Sequence, residues 1–207
     1  MQRACALALL HEGETVILNP GKSNDDLAAL DIIQKLGATV VMKNEEVQIK
    51  NEGTTIAHDE INCGESGLAI RMFTPIAALS SEEIIINGTG SLLKRPMHFL
   101  DEVFPKLGVS ILSNKGFLPV KIKGPLVPAD IIIDGSISSQ FLTGLLMAYG
   151  KAAKKRVVIT VQNLKSKPYI DLTLEMMKEF GYKVENERYE RFIIDPLDTS
   201  AGSLQKA

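Results

Sequence analysis

The 207-residue chain is 45% hydrophobic and 23% charged, an ordinary globular balance that excludes intrinsic disorder. Its 23 Lys and Arg against 25 Asp and Glu leave a net charge of −2, which excludes a strongly basic nucleic-acid surface. Apolar runs are short, as at residues 84–86 and 131–133, and the two cysteines, Cys5 and Cys63, form no CxxC, so a bilayer span, a disulfide framework and a zinc site are not expected.

Residues 3–10 read as a helix of Ala and Leu with no capping residue ahead of it. That abrupt start suggests a truncated form of a longer chain. A strand at 15–19 and a loop ending in Ser23 lead to a helix with Leu27, Leu30, Ile33 and Leu36 on one face. Gly37 closes that helix, and two short strands follow at 38–42 and 47–50.

The same order then recurs. An extended run at 55–61 precedes a helix at 67–79, a strand at 83–87 and a loop ending in Ser91. A helical stripe of Met97, Leu100, Val103, Phe104 and Leu107 ends at Gly108, with strands at 109–112 and 119–123. The third pass has an extended run at 130–133, a helix at 138–149, a strand at 156–160 and a loop ending in Ser166. Its amphipathic stretch carries Ile170, Leu172, Leu174, Met177 and Phe180, ends at Gly181, and leads to strands at 182–185 and 191–194. The three glycines are spaced at about 70 residues, the mark of a repeated unit. The first unit lacks the leading strand of the other two. The remainder, 197–207, is a tail without pattern.

Such repeats place several helix N-termini together, and these carry unsatisfied N–H groups and partial positive charge suited to phosphate or carboxylate. Gly21-Lys22-Ser23 resembles the end of a phosphate loop, but Val16 stands where that pattern needs Gly, and Asp25 and Asp26 would repel a phosphate. A Ser23 or Asn24 helix cap is the better reading. Residues 63–71 form a glycine-containing turn with Ser66 as an ordinary cap or with Gly67 admitting a ligand. Arg95 stands before Pro96, which is expected in a first helical turn, so its guanidinium is either a solvated surface group or a phosphate fork. Ser136, Ser138, Ser139 and Gln140 form a hydroxyl and amide cluster at a helix start, redundant caps or oxyanion ligands. Lys165, Ser166, Lys167 and Tyr169 form another. His11, His58 and His98 have no ligand spacing.

The runs GESGLAIRMF, GSLLKRPM, SSQFLTGLLMA and SKPYIDLTLEMMKEFG resemble the 5-enolpyruvylshikimate-3-phosphate synthase family, in order and over essentially the whole chain. SSQF and SKPY carry the specificity, since the glycine turn is common to the wider enolpyruvyl transferases. The resemblance implies an α/β fold of three βαβαββ-type units with pseudo-threefold symmetry, helices inside and sheets outside. It implies two such globular domains around a cleft, of which this chain is the N-terminal one. A single globular domain is expected at 1–196, with repeats at roughly 1–53, 54–125 and 126–196, a tail at 197–207, and the second domain absent.

The implied activity transfers the enolpyruvyl group of phosphoenolpyruvate to the 5-hydroxyl of shikimate 3-phosphate, with release of phosphate, in the cytoplasm. Ser138, Ser139 and Ser166 match residues that hold the substrate phosphate. Arg3 and Tyr169 match residues on the same substrate, with Arg3 at its carboxylate. Gln140 matches a residue between the two substrates, and Gly67 and Arg95 match the phosphoenolpyruvate side. Arg71 matches a motif arginine, and Leu68 stands where the family commonly has Thr. The family's Lys-Ser motif, expected just before Arg3, is missing, and its acid/base carboxylates belong to the other domain. No catalytic residue is therefore expected in this chain, nor any metal or cofactor, and the chain alone is expected to be inactive. The expected partners are the two substrates and the missing domain, without nucleic acid or membrane. The alternatives are UDP-N-acetylglucosamine enolpyruvyl transferase, against which SSQF, SKPY and the setting of Cys63 speak, and a non-catalytic α/β binding module.

Overall fold

The computed structural model describes residues 1–53, 57–136 and 138–197. Among them are six α-helices and eleven strands in three sheets. The first unit holds α1 (Gln2–Leu10), β1 (Gly13–Leu18), α2 (Asn24–Lys35), β2 (Thr39–Lys43) and β3 (Glu46–Asn51). The second holds β4 (Glu60–Asn62), α3 (Gly67–Ala77), β5 (Glu83–Asn87), α4 (His98–Val103), β6 (Ser110–Asn114) and β7 (Phe117–Lys123). The third holds β8 (Ile131–Asp134), α5 (Ser139–Ala152), β9 (Val157–Gln162), α6 (Lys167–Glu179), β10 (Val184–Glu187) and β11 (Arg191–Ile194). Part of the strand expected at 55–61, and the tail beyond Leu197, lie outside the described residues.

The three sheets share one connectivity. The strand after each unit's first helix pairs antiparallel with the unit's last strand, as Val16 with Gln48, Ile84 with Ile122 and Ile159 with Phe192. That last strand pairs antiparallel with the one before it. In the second and third units a leading strand is added in parallel, β4 on β5 and β8 on β9. The turn after the second helix of each unit falls on a glycine: Gly37, Gly108 and Gly181 all have positive φ, where an L side chain would be strained.

The sheets bury one face, and the helices pack between them. Cys5 to Leu10 of α1 are all buried, as is nearly every residue of α3 and α5. Burial of this kind suits the Ala, Leu and Ile composition of these helices and the lack of Trp. Gly144 lets α5 lie directly on α3: a Cβ there would come 2.5 Å from the Met72 carbonyl oxygen and 2.8 Å from that of Arg71. No helix among the described residues is long and apolar enough to cross a membrane.

Two local expectations change. Ser91 lies inside a short 3₁₀ turn, Gly90–Lys94, rather than ending a loop. The helix expected to open at Arg95 and Pro96 begins at His98, is six residues long, and tightens into a second 3₁₀ turn at Phe104–Leu107. Pro105 explains the break, because it has no N–H to give to an α-helical bond. Arg95 is thus presented by an extended linker between two short helical pieces, not by a helix end.

Candidate functional site

Capping explains how three of the helix N-termini are built. Ser23 and Asp26 cap α2 reciprocally, so this end already holds a carboxylate and is not a phosphate loop. The Ser66 hydroxyl accepts the Ala69 N–H of α3 at 3.2 Å and donates to Gln2 Oε1 at 3.2 Å, tying α3 to the start of α1. The Ser138 hydroxyl accepts the Gln140 N–H at 3.1 Å on α5.

Arg3, one turn into the chain, crosses to α6. Its Nε donates to the Thr173 hydroxyl at 3.0 Å, and its guanidinium lies 5.9 Å from the Tyr169 ring centroid. Burial lowers its affinity for the proton and Tyr169 partly offsets this. Thr173 in turn meets Thr143 of α5 at 3.0 Å. Sequences 170 residues apart are joined here through side chains alone.

On the far side, Gly67 opens α3 beneath two guanidiniums. A Cβ at this position would lie 2.6 Å from Arg95 Nη1 and 3.0 Å from Arg71 Nη1. Arg71 Nη1 donates to the Gly67 carbonyl at 3.1 Å, while its buried Nε has no partner. Burial, and then the charge of Arg95, hold the Arg71 pKa below its ordinary value. Among the described residues neither guanidinium has a carboxylate at salt-bridge distance. Two like charges this close, one with an unpartnered donor, make an arrangement that a bound anion would stabilise. Arg71 also lies over Phe99, whose ring meets that of Phe141 of α5 at a tilt of 59° with centroids 4.7 Å apart, so Arg71 packs toward the third unit.

The loops that lead into α5 and α6 run side by side. Gly135 N–H donates to the Gln162 carbonyl at 2.7 Å. Asp134 accepts from the Ser136 N–H and hydroxyl, and these bonds hold its carboxyl below the usual range. Ser139 is buried, and Ser166 is exposed with φ +58 and a hydroxyl that makes no capping bond.

The structure therefore joins Arg3 directly to Tyr169, and Gly67 to Arg95 and Arg71. Ser138, Ser139 and Gln140 sit at the α5 N-terminus, one turn before Thr143, and Ser166 ends the neighbouring loop. No hydrogen bond among the described residues links Ser166 to Ser138 or Ser139. Leu68 is partly buried and packs on the core. Cys63 is fully buried, and burial pushes its thiol up to about 12, so it is not an activated nucleophile. Gln2, Thr143 and Thr173 were missed by sequence reasoning. The available signal was spacing: Thr143 and Thr173 each stand four residues after a candidate, Ser139 and Tyr169, on the same helix face.

The sequence profile described as EPSP synthase (3-phosphoshikimate 1-carboxyvinyltransferase) matches residues 1–205. The chain belongs to the EPSP synthase family. It is 34% identical over 199 residues to a 3-phosphoshikimate 1-carboxyvinyltransferase of Enterobacter sp. (strain 638), covering 93% of this chain and 47% of that one. It is 37% identical over 207 residues to the enzyme of that name from Psychromonas ingrahamii, covering 95% and 48%. The EPSP synthase structure from Acinetobacter baumannii superposes with a TM-score of 0.79 at 25% identity, over 94% of this chain and 44% of that one. The enolpyruvyl transferase NikO from Streptomyces tendae shares the fold, with a TM-score of 0.62 at 14% identity over 93% of this chain and 45% of that one. The chain spans about half the length of the curated relatives it matches.

Proposed function

We propose that this chain is the shikimate-3-phosphate-binding domain, residues 1–196 in three repeats, of an enzyme that transfers the enolpyruvyl group of phosphoenolpyruvate to the 5-hydroxyl of that substrate. The observation that carries the reading is the set of cations with no carboxylate at salt-bridge distance among the described residues: Arg71 and Arg95 on Gly67, with Arg3 beside Tyr169 on the α6 side. The family membership and the names of the relatives support the same reaction over the UDP-N-acetylglucosamine enolpyruvyl transferase.

Ser138, Ser139 and Ser166 hold the phosphate of shikimate 3-phosphate, using hydroxyls and the N–H groups of α5 and α6. Arg3 takes its carboxylate and Tyr169 its ring. Gln140 lies between the substrates. Gly67 and Arg95 receive phosphoenolpyruvate, and the unpaired Nε of Arg71 adds a second cation to that side. Both substrates are phosphorylated acids, so a chain of net charge −2 must bind them through local cations. The acid/base groups come from a second domain, as does closure of the cleft against water. The complete enzyme works in the cytoplasm, with no cofactor and no nucleic-acid or membrane partner.

The test is calorimetric titration of the chain with shikimate 3-phosphate, beside a phosphate-release assay with both substrates. Weak binding without turnover is expected. The triple variant Ser138→Ala, Ser139→Ala, Ser166→Ala loses several charge-assisted bonds of about 1.5–3 kcal/mol each and should not bind. Turnover above background that needs both substrates, or binding that survives the triple variant, refutes this assignment.

A further inference from the structure

The N-terminus of α6 is built differently from those of α2, α3 and α5. Its cap residue, Ser166, adopts a left-handed backbone and spends no side-chain bond on the helix. Its first turn has no acidic residue, and Pro168 has no N–H to cap. The hydroxyl is left free for a ligand, so the turn has to be held from outside.

One outside hold is the Thr173 contact with Arg3 and Thr143. The opposite hold comes from the β10–β11 hairpin. Tyr189, in the loop 188–190, donates its hydroxyl to both carboxylate oxygens of Asp171, at 2.8 and 3.0 Å. Its ring lies 4.9 Å from Lys167 Nζ. Lys167 and Asp171 are i and i+4 on the first turns of α6, so a single side chain grips both ends of the segment that contains Tyr169. Arg188 and Tyr189 are the central residues of the turn that closes the hairpin, with the Glu190 N–H on the Glu187 carbonyl at 3.0 Å, and both have positive φ, +56 and +62. The Tyr189 N–H is held by Asn186 Oδ1 at 2.8 Å in that posture. The hairpin turn and Asn186 thus set the Tyr189 backbone, and from it the side chain reaches the start of α6.

We propose that Tyr189 is a positioning residue for the anion site, acting through Asp171 and Lys167 to hold the first turn of α6 so that Ser166 and Tyr169 face the ligand. The inference rests on the functional reading above. Tyr189 itself touches no substrate. Removing its hydroxyl loosens the turn without taking away any ligand group.

The variant is Tyr189→Phe, which keeps the ring on Lys167 and loses the Asp171 bonds. In the unliganded chain, amide exchange at Tyr169, Ile170 and Asp171 should quicken roughly tenfold, while Phe141 to Thr143 of α5 are unchanged. Affinity for shikimate 3-phosphate should fall roughly fivefold. Asp171→Ala should match it, Asp171→Asn, which keeps an acceptor, should largely restore affinity, and the pair Tyr189→Phe with Asp171→Ala should be no worse than either alone. Unchanged exchange at the α6 start overturns the clamp, and quickened exchange with unchanged affinity overturns its role at the site. An unsubstituted chain that does not bind shikimate 3-phosphate overturns the functional reading instead, and the clamp is then decided by the exchange rates.

Discussion

Thr173 accepts from Arg3 Nε at 3.0 Å and donates its only hydroxyl proton to the Tyr169 carbonyl at 2.8 Å. The Thr143 hydroxyl, 3.0 Å away, must therefore be the donor in the Thr143–Thr173 contact. One side chain thus fixes the orientation of Arg3, caps a carbonyl of α6, and accepts a hydrogen bond from α5.

Thr173→Val keeps the volume and removes all three bonds. It leaves the Thr143 hydroxyl buried without a partner, which costs about 1–3 kcal/mol. Urea denaturation should show that loss of stability, and Arg3 should also lose its fixed pose, weakening shikimate 3-phosphate. Thr173→Ser keeps the hydroxyl and should retain most of both. A Val variant as stable as the unsubstituted chain would show that the network contributes nothing.

At Gly67 the geometry predicts the opposite balance. The added Cβ of Gly67→Ala meets the ends of two flexible arginines rather than backbone, and Gly67 does not need a left-handed conformation. Stability should change by less than about 1 kcal/mol, because Ala suits a helix at least as well as Gly. The guanidiniums of Arg71 and Arg95 must move apart, so phosphoenolpyruvate-induced shifts of their Nε–H signals in NMR should weaken or vanish. Shifts as large as in the unsubstituted chain would place that anion elsewhere.

The repeat was legible because burial leaves a period in the sequence. Leu30 and Ile33, or Ile170 and Met177, mark buried faces, and Gly37, Gly108 and Gly181 mark the turns. The second helix of the second unit was misread for the same reason: Met97, Leu100, Val103 and Leu107 keep a helical stripe, but Pro105 and the extended Arg95 linker break the helix without disturbing the apolar pattern. The meeting of Arg71 with Arg95 within the second unit, of Thr143 with Thr173 within the third, and of α5 with α3 across the two depends on how separate elements pack. No local periodicity encodes that. It follows from contacts such as Gly144 on Met72, which a single sequence does not display.

That crossing can be tested directly. A Gly144→Ala methyl would press on backbone atoms of α3, which cannot rotate away as a side chain can. Overpacking of this sort costs about 1–3 kcal/mol, and more where backbone must shift. The melting temperature should fall by several degrees, far more than for Gly67→Ala. Because the blocked carbonyls include that of Arg71, the phosphoenolpyruvate side should weaken as well. An unchanged melting temperature would show that α3 and α5 are not in close contact.

Alkaline pH tests the buried core. Burial pushes the thiols of Cys5 and Cys63 from 9.0 to about 12 and the Tyr182 phenol from 10.0 to about 12, and it raises Tyr149 further. In each case the folded chain holds the neutral, protonated form to higher pH than the unfolded chain does. The unfolded state therefore binds fewer protons above pH 9, and stability declines as pH rises from about 9 to about 12. Each such group contributes a slope of about 1.4 kcal/mol per pH unit once its unfolded form is ionised. The urea midpoint should fall steadily over that range, and the decline between pH 9 and about 10, where the thiols ionise ahead of the phenols in the unfolded chain, should be shallower in the variant Cys5→Ala, Cys63→Ala. At pH 8 a disulfide reagent should leave both thiols of the folded chain unmodified and react with both in urea. Rapid labelling of either thiol in the folded chain would contradict the buried positions on which this prediction rests.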